Sequence, residues 1–138
     1  NFEFKSYETS LDVKNFDTSF VKGLSFEDGC ATLTKFTAYL IADGLRKINK
    51  QNNINPHQYI FCGGGRKNKF LMQSIENYLA NKNIIVKDID DYNFDGNFIE
   101  SQAFAYLAIR SYLKLPISFP STTRCKKAIS GGDILQNF

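Results

Sequence analysis

The chain has 138 residues, of which 43% are hydrophobic and 22% charged, and this is the size and composition of about one globular domain. We find no apolar run near 18 residues and no basic-then-apolar start, so we expect neither a transmembrane helix nor a signal peptide. The net charge of +3 comes from scattered lysines, which predicts solubility and gives little support for nucleic-acid binding. Because the chain begins at Asn1 and its only methionine is Met72, we expect a piece of a longer reading frame, a processed product or a trimmed form.

The cysteines and the single histidine limit the metal and redox chemistry of the chain. Cys30, Cys62 and Cys125 are odd in number and far apart, and they fit neither a disulfide framework nor a zinc spacing. Reduced thiols in a cytoplasmic protein are the simplest interpretation. His57 stands beside Pro56 in a polar connection, so we interpret it as a surface residue and predict no metal site.

The first 50 residues predict an aromatic-rich leading segment and one long helix. Residues 1–24 are weakly patterned, and their aromatic side chains pack either on the domain's own core or on chain outside this sequence. Ser25 is a predicted helix cap, and the next residues include two acids in the first helical turn. The apolar spacing that follows predicts a helix from Phe26 to about Asn49. Residues 50–53 are polar and predict a loop.

A strand, three glycines and a helix start follow one another in the middle of the chain. Residues 58–62 have the content of a buried strand, and Gly63, Gly64 and Gly65 mark a tight turn where backbone approaches something closely. Asn68 caps a helix whose apolar face runs to Leu79. Such a unit presents N–H groups and a partial positive charge to an anion, so it predicts a phosphate-binding turn. An ordinary tight strand-to-helix connection is the alternative.

An acidic loop comes after the next predicted strand. Ile84, Ile85 and Val86, with Ile89, predict the strand. The acids of the loop are Asp88, Asp90, Asp91 and Asp95. They form either a solvated loop or a contact with a ribose, or with magnesium through water.

The last third of the chain predicts one helix and an extended tail. The helix starts near Asn97 and ends near Lys114, since Leu115-Pro116 stops it. Glu100 lies in its first turn, where a carboxylate is favoured by the helix dipole, and helix stabilisation is the simplest role for it. Residues 117–138 predict extended structure with turns.

Several ordered pieces of the sequence match one family pattern. They are Thr9–Asp12 with Phe16-Asp17, Ala31–Ala38, Cys62–Asn68 with Leu71-Met72, Asp95-Gly96 with Glu100–Ala105, and Pro120, Thr122 and Gly132–Ile134 near the end. Together they resemble the C-terminal part of the anhydro-N-acetylmuramic acid kinases of bacterial cell-wall recycling. The chain departs from the family pattern at Ser101, where alanine is usual, and at Thr123-Arg124, where the family tends to have Gly-Ala.

The resemblance implies an α/β fold, the ribonuclease-H-like C-terminal lobe of an actin-like ATPase, with a mixed sheet and flanking helices. Residues 1–138 would form one domain of a two-lobed sugar kinase. Within it, residues 1–24 would be an irregular joint segment and residues 25–138 the nucleotide-binding core.

The resemblance also implies a reaction and a set of site residues. The reaction would be ATP-dependent phosphorylation of 1,6-anhydro-N-acetylmuramic acid with hydrolytic ring opening, giving N-acetylmuramic acid 6-phosphate. Gly63, Gly64, Gly65 and Asn68 would hold the nucleotide, while Glu100 would face the sugar or its attacking water. Mg²⁺ would be held mainly by the N-terminal lobe.

The phosphate loop and the catalytic aspartate of that family come before the region seen here, and this sequence contains neither motif. We therefore expect the chain alone to be inactive and its partner to be an N-terminal lobe, in cis or as a separate chain. The resemblance is compatible with a homodimer. It implies binding neither to nucleic acid nor to a membrane.

The residues are also compatible with two other functions. A free-standing Rossmann-like nucleotide binder is favoured by Asp88 and Asp90, which follow the glycines by about 20 residues, where a ribose-binding acid belongs. The glycines lack the third, spaced member of that fingerprint. An interaction module that keeps the fold without binding a ligand is the other alternative.

Overall fold

The computed structural model describes residues 16–80, 84–133 and 135, and the chain divides into two compact units. The first unit ends at Gly96 and the second begins at Asn97. The assignment of residues 1–138 to one domain stays a prediction. Residues 1–15, most of the predicted joint segment, lie outside the described residues.

Helix α1, Phe26–Asn52, is the longest element of the first unit, with 27 residues. It begins as predicted, because the Ser25 hydroxyl accepts a hydrogen bond from the backbone N–H of Asp28 at 3.1 Å. It ends three residues later than predicted. Asn53 adopts the left-handed conformation, with φ of 52°, and closes the helix there. The prediction of a loop from residue 50 was therefore wrong for Lys50–Asn52.

The predicted order of strand, turn and helix is confirmed, but the strand ends at Phe61 and is not buried, since its residues alternate between exposed and half-buried. Strand β1 is Gln58–Phe61, helix α2 is Lys69–Leu79, and strand β2 is Ile85–Asp88. β1 and β2 pair in parallel, with Tyr59 opposite Val86 and Phe61 opposite Asp88. The parallel pairing brings the ends of both strands to the same edge, so the glycine turn lies beside the start of the acidic loop. Ile89, predicted to lie in the strand, instead opens a 3₁₀ turn, Ile89–Tyr92.

The core of the first unit lies between α1 and α2. Its fully buried side chains are Ala38 and Ala42 of α1 and Ile75 and Leu79 of α2. Alanine has a small side chain, so the two helices can approach closely where the larger residues of α2 pack. Burying a side chain such as Ile75 contributes about 1.5–3 kcal/mol. This packing fixes α2, and with it the glycine turn that leads into α2.

The second unit contains helix α3, Ile99–Tyr112, and a short helix α4, Pro120–Thr123. α3 ends two residues before the predicted Lys114, which adopts a positive φ of 54°. Ser118 and Ile129 form an isolated antiparallel bridge. α4 was not predicted. It forms because Pro120 suits the first position of a helix and the Thr122 hydroxyl accepts a hydrogen bond from the Phe119 N–H at 3.2 Å.

The described residues therefore form a mixed α/β protein with a small parallel sheet and flanking helices. The predicted mixed sheet and ribonuclease-H-like architecture go beyond these two strands and stay predictions. Among the described helices, none is both long and apolar enough to cross a membrane.

Candidate functional site

The glycine turn connects β1 to α2 through one glycine-specific residue and a 3₁₀ turn, Gly64–Lys67. Gly63 has φ of 82° and ψ of 172°, a region that only glycine occupies readily. Gly64 needs no such conformation, and a Cβ built there would meet no atom within 4 Å. The turn therefore needs glycine at Gly63 for its backbone. At Gly64, the missing side chain leaves open space beside the backbone.

Asn68 is the N-cap of α2, as predicted. Its side-chain Oδ1 accepts a hydrogen bond from the Leu71 N–H at 3.1 Å, which leaves the side-chain amide N–H groups available as donors. The first N–H groups of a helix have no acceptor within the helix, and the helix dipole adds a partial positive charge. The turn and the start of α2 thus have the chemistry of an anion site.

Arg66 lies within the glycine turn, and its side chain points inward. The side chain is only 2% exposed. Its Nε donates to Asp88 Oδ1 at 3.0 Å, its Nη2 to Asp90 Oδ2 at 2.8 Å, and its Nη1 to the Gly63 carbonyl oxygen at 3.1 Å. A buried guanidinium with these bonds joins the turn to the end of β2 and to the 3₁₀ turn behind it.

Asp90 completes this ion-pair cluster, which consists of Arg66, Asp88, Asp90 and Gly96. The Gly96 N–H donates to Asp90 Oδ1 at 2.6 Å, and the Asp90 N–H donates to Asp88 Oδ1 at 3.0 Å. The hydrogen bonds from Arg66 and then from Gly96 hold the pKa of Asp90 below its ordinary value. The same carboxylate raises the pKa of Arg66, so the guanidinium stays charged.

The cluster gives two acids, one at the end of β2 and one just after it, a role that the sequence did not predict. Asp88 and Asp90 were interpreted as a solvated loop or as ligands for a ribose or magnesium. Both bind Arg66, which sequence reasoning did not single out, while their side chains stay 36% and 50% exposed. The ribose and magnesium interpretations stay predictions. The signal that could have found Arg66 is an arginine directly after the glycines, with acids at the end of the next parallel strand.

Glu100 lies in the first turn of α3, in the second unit, and is exposed to solvent. Its carboxylate is favourably placed at the positive end of that helix, as predicted. Its role at a sugar or at an attacking water stays a proposal.

The described residues contain no group of three or more histidine, cysteine or acidic side chains that could hold a metal ion. His57 is exposed, as predicted, and the three cysteines are free thiols. The Mg²⁺ that the resemblance implies stays a proposal.

Two concave regions of the first unit lie away from the glycine turn. One, of about 820 Å³, is lined by basic and asparagine side chains where α1 ends, including Arg46, Lys50 and His57. The other, of about 420 Å³, is apolar and lies against Leu33, Phe36 and Leu40 of α1. Neither includes a residue of the turn, so the nucleotide-binding prediction depends on the turn itself.

The fold and the site place the chain among mixed α/β proteins with a glycine-rich connection between a strand and a helix. The family model of anhydro-N-acetylmuramic acid kinase matches residues 3–137. The chain belongs to the anhydro-N-acetylmuramic acid kinase family.

Curated relatives with that name support the assignment. The chain is 57% identical over 130 residues to the anhydro-N-acetylmuramic acid kinase of Pelagibacter ubique, covering 94% of this chain and 34% of the relative. It is 41% identical over 126 residues to the Caulobacter vibrioides protein and 39% identical over 125 residues to the Zymomonas mobilis protein. These matches cover 91% of this chain and 32% of each relative. The chain thus spans about a third of the length of the relatives it matches.

Proposed function

We propose that this chain is the nucleotide-binding part of a kinase acting on 1,6-anhydro-N-acetylmuramic acid. Its fold would be the ribonuclease-H-like C-terminal lobe of an actin-like ATPase. The single observation that carries the proposal is the family match over residues 3–137. The arrangement of Gly63 to Asn68 supports it, because a glycine turn and a capped helix start suit a phosphate group.

The proposed reaction has a phosphoryl transfer and a hydrolytic step. The γ-phosphoryl of ATP goes to the 6-oxygen of the sugar, and water adds at the anomeric carbon as the 1,6-anhydro bridge breaks. The products are ADP and N-acetylmuramic acid 6-phosphate. Such transfers depend mainly on positioning and charge neutralisation.

Within this chain we assign the nucleotide side to Gly63, Gly64, Gly65 and Asn68. Backbone N–H groups of the turn and the free side-chain amide of Asn68 would bind phosphate oxygens. Glu100 would face the sugar or the attacking water. When bound, Mg²⁺ would neutralise charge on the phosphates, and we assign its ligands mainly to the N-terminal lobe.

Calorimetric titration tests the nucleotide assignment. We expect ATP or ADP to bind weakly and S-adenosylmethionine and NAD not at all. Tight binding of either of the last two would overturn the assignment in favour of a Rossmann-like binder. The carboxylates that such a binder would use for a ribose, Asp88 and Asp90, are held by Arg66 in this chain.

Gly64→Val sharpens this test. Since a Cβ at Gly64 meets no atom within 4 Å, valine should leave the circular dichroism of the chain unchanged. Its side chain would then occupy the space beside the turn, and ADP binding should be lost. Gly44→Val on α1 is the control, because its Cβ is also free of contacts and lies in another element. Unchanged ADP binding in Gly64→Val would refute the assignment of the turn.

A coupled ADP-release assay tests the division of labour between the lobes. We propose that the chain alone does not turn over 1,6-anhydro-N-acetylmuramic acid, because it lacks the phosphate-loop and catalytic-aspartate motifs. Adding the remaining part of the Pelagibacter ubique relative, as a separate chain or by fusion, should restore turnover. Glu100→Gln should then slow turnover more than it weakens ATP binding. An isolated chain with ordinary turnover, about 1 per second or more, would refute the proposal.

A further inference from the structure

The arginine within the glycine turn is placed as though it were a phosphate ligand, yet its side chain is buried. We propose that Arg66 is a positioning residue, whose guanidinium holds Gly63–Gly65 in the conformation that receives the nucleotide. This inference rests on the function proposed above. It gives Arg66 an indirect role, in which Arg66 orients the turn and does not contact the nucleotide.

Burial excludes direct contact between Arg66 and a bound nucleotide. The side chain is 2% exposed, and its three nitrogens already donate to Asp88, Asp90 and the Gly63 carbonyl oxygen. A phosphate would have to displace these bonds to reach it. Arg66 therefore acts through the groups that it holds.

The bond to the Gly63 carbonyl oxygen sets the direction of the next N–H group. The Gly63–Gly64 peptide is trans and planar, so its C=O and N–H point in opposite directions. The Gly63 oxygen accepts from Nη1 of Arg66 at 3.1 Å and from the Arg66 backbone N–H at 3.4 Å, so the shorter of its two bonds holds it toward the buried guanidinium. The Gly64 N–H consequently points away from Arg66. Gly64 itself is exposed.

Hydrogen bonds from three nitrogens in fixed directions require the planar guanidinium. Nε and Nη2 bind two carboxylates that lie 22 and 24 residues farther along the chain, while Nη1 binds the turn. A lysine ammonium is a point charge on a flexible stem and does not reproduce this fork. Arg66→Lys thus keeps the charge and removes the positioning.

The experiment compares Arg66→Lys with Arg46→Lys, the same substitution on α1, where Arg46 donates to the Tyr78 carbonyl oxygen. Backbone hydrogen exchange by mass spectrometry follows the peptide covering residues 63–68. Calorimetry at about 10 °C gives the affinity for ADP. We expect faster exchange and about tenfold weaker ADP binding in Arg66→Lys only. Removing a group that orients the ligands of a bound metal lowers affinity by about 10–100-fold, and we take the lower figure for a group that orients a nucleotide-binding turn.

The outcomes separate this inference from the proposed function. A purely structural role for Arg66 would lower the melting temperature but leave the ADP affinity of the folded chain unchanged, and that result overturns the positioning role alone. A wild-type chain that does not bind ADP overturns the proposed function and this inference with it. If Arg66→Lys does not fold, Asp90→Asn tests the positioning role instead. It removes the charge that binds Arg66 but keeps the shape of the side chain and an acceptor for the Gly96 N–H. Wild-type exchange and affinity in Asp90→Asn would then overturn the inference.

Discussion

Gly96 is the position where a single added methyl group should test the ion-pair cluster most directly. A Cβ at Gly96 would lie 2.6 Å from Cζ and 2.7 Å from Nε of Arg66, and 2.7 Å from Cγ2 of Ile89. Arg66 cannot simply swing aside, because Asp88 and Asp90 hold its guanidinium. The backbone φ of Gly96 is outside the glycine-specific region, so any cost of Gly96→Ala comes from crowding.

The change in the free energy of unfolding of Gly96→Ala is the sum of two opposing effects. Crowding a well-packed site costs about 1–3 kcal/mol. Alanine also restricts the unfolded chain, which stabilises the folded state by about 0.4–1 kcal/mol. Because three atoms would lie within 2.7 Å of the new Cβ, the crowding cost should fall in the upper part of its range, about 2–3 kcal/mol. We therefore expect Gly96→Ala to lower the free energy of unfolding by about 1–2.5 kcal/mol.

Gly64→Ala is the matched control, since it makes the same chemical change in the same unit. With no atom within 4 Å of its Cβ and no positive φ, it should stabilise the chain by up to about 1 kcal/mol. Urea unfolding followed by circular dichroism measures both variants. Their free energies of unfolding should differ by about 1 kcal/mol or more.

Equal stabilities of Gly96→Ala and Gly64→Ala would refute the tight packing of Arg66 against Gly96. A double-mutant cycle identifies the partner in the clash. In an Arg66→Ala background the guanidinium is absent, so Gly96→Ala should cost less than in the wild type. An unchanged cost would assign the clash to Ile89 alone.

Three further predictions concern the turn, the ion pair and the core. Gly63→Ala should destabilise the chain by about 1–3 kcal/mol, because alanine is strained at φ of 82° and ψ of 172°; urea midpoints measure this. Asp90→Asn should destabilise the chain at neutral pH, and the difference from wild type should shrink as pH falls below about 4. The folded pKa of Asp90 lies below the ordinary value of about 3.9, so its stabilising contribution is present above that value and is lost as pH falls through the folded pKa. A pH series of urea unfolding curves checks this, and a constant difference down to pH 2 would contradict it. Ile75→Ala should cost about 2–5 kcal/mol, since its side chain is fully buried between α1 and α2; a loss below about 1 kcal/mol would contradict that packing.

Local patterns in the sequence predicted the elements of the first unit well. Ser25 and Asn68 are caps whose side chains bind backbone N–H groups, and such bonds depend on neighbours within three residues. The end of α1 was missed because Asn53 stops the helix through a left-handed conformation, which a polar run does not reveal. α4 was missed for a similar reason: a single turn has no apolar period to detect.

The ion-pair cluster could not be predicted from local patterns. It depends on the parallel pairing of β1 and β2, which places Phe61 opposite Asp88 and so brings the acidic loop to the glycine turn. In the sequence the arginine and the acids are more than 20 residues apart, and their contact depends on the register of the sheet. The ordered motifs predicted the family, which the family match confirms. The roles of Gly63–Gly65, Asn68 and Glu100 stay proposals.

The sequence span of the Arg66 contacts also has a consequence for folding kinetics. Arg66 and its two carboxylates can meet only when the chain between them has formed α2 and β2 has paired with β1, so these bonds should form after the main folding barrier. Interactions that are absent from the transition state slow unfolding without speeding folding. In stopped-flow measurements, Arg66→Lys should therefore unfold faster than wild type while its refolding rate stays close to that of the wild type. The cluster would then determine how long the glycine turn stays intact once the chain has folded.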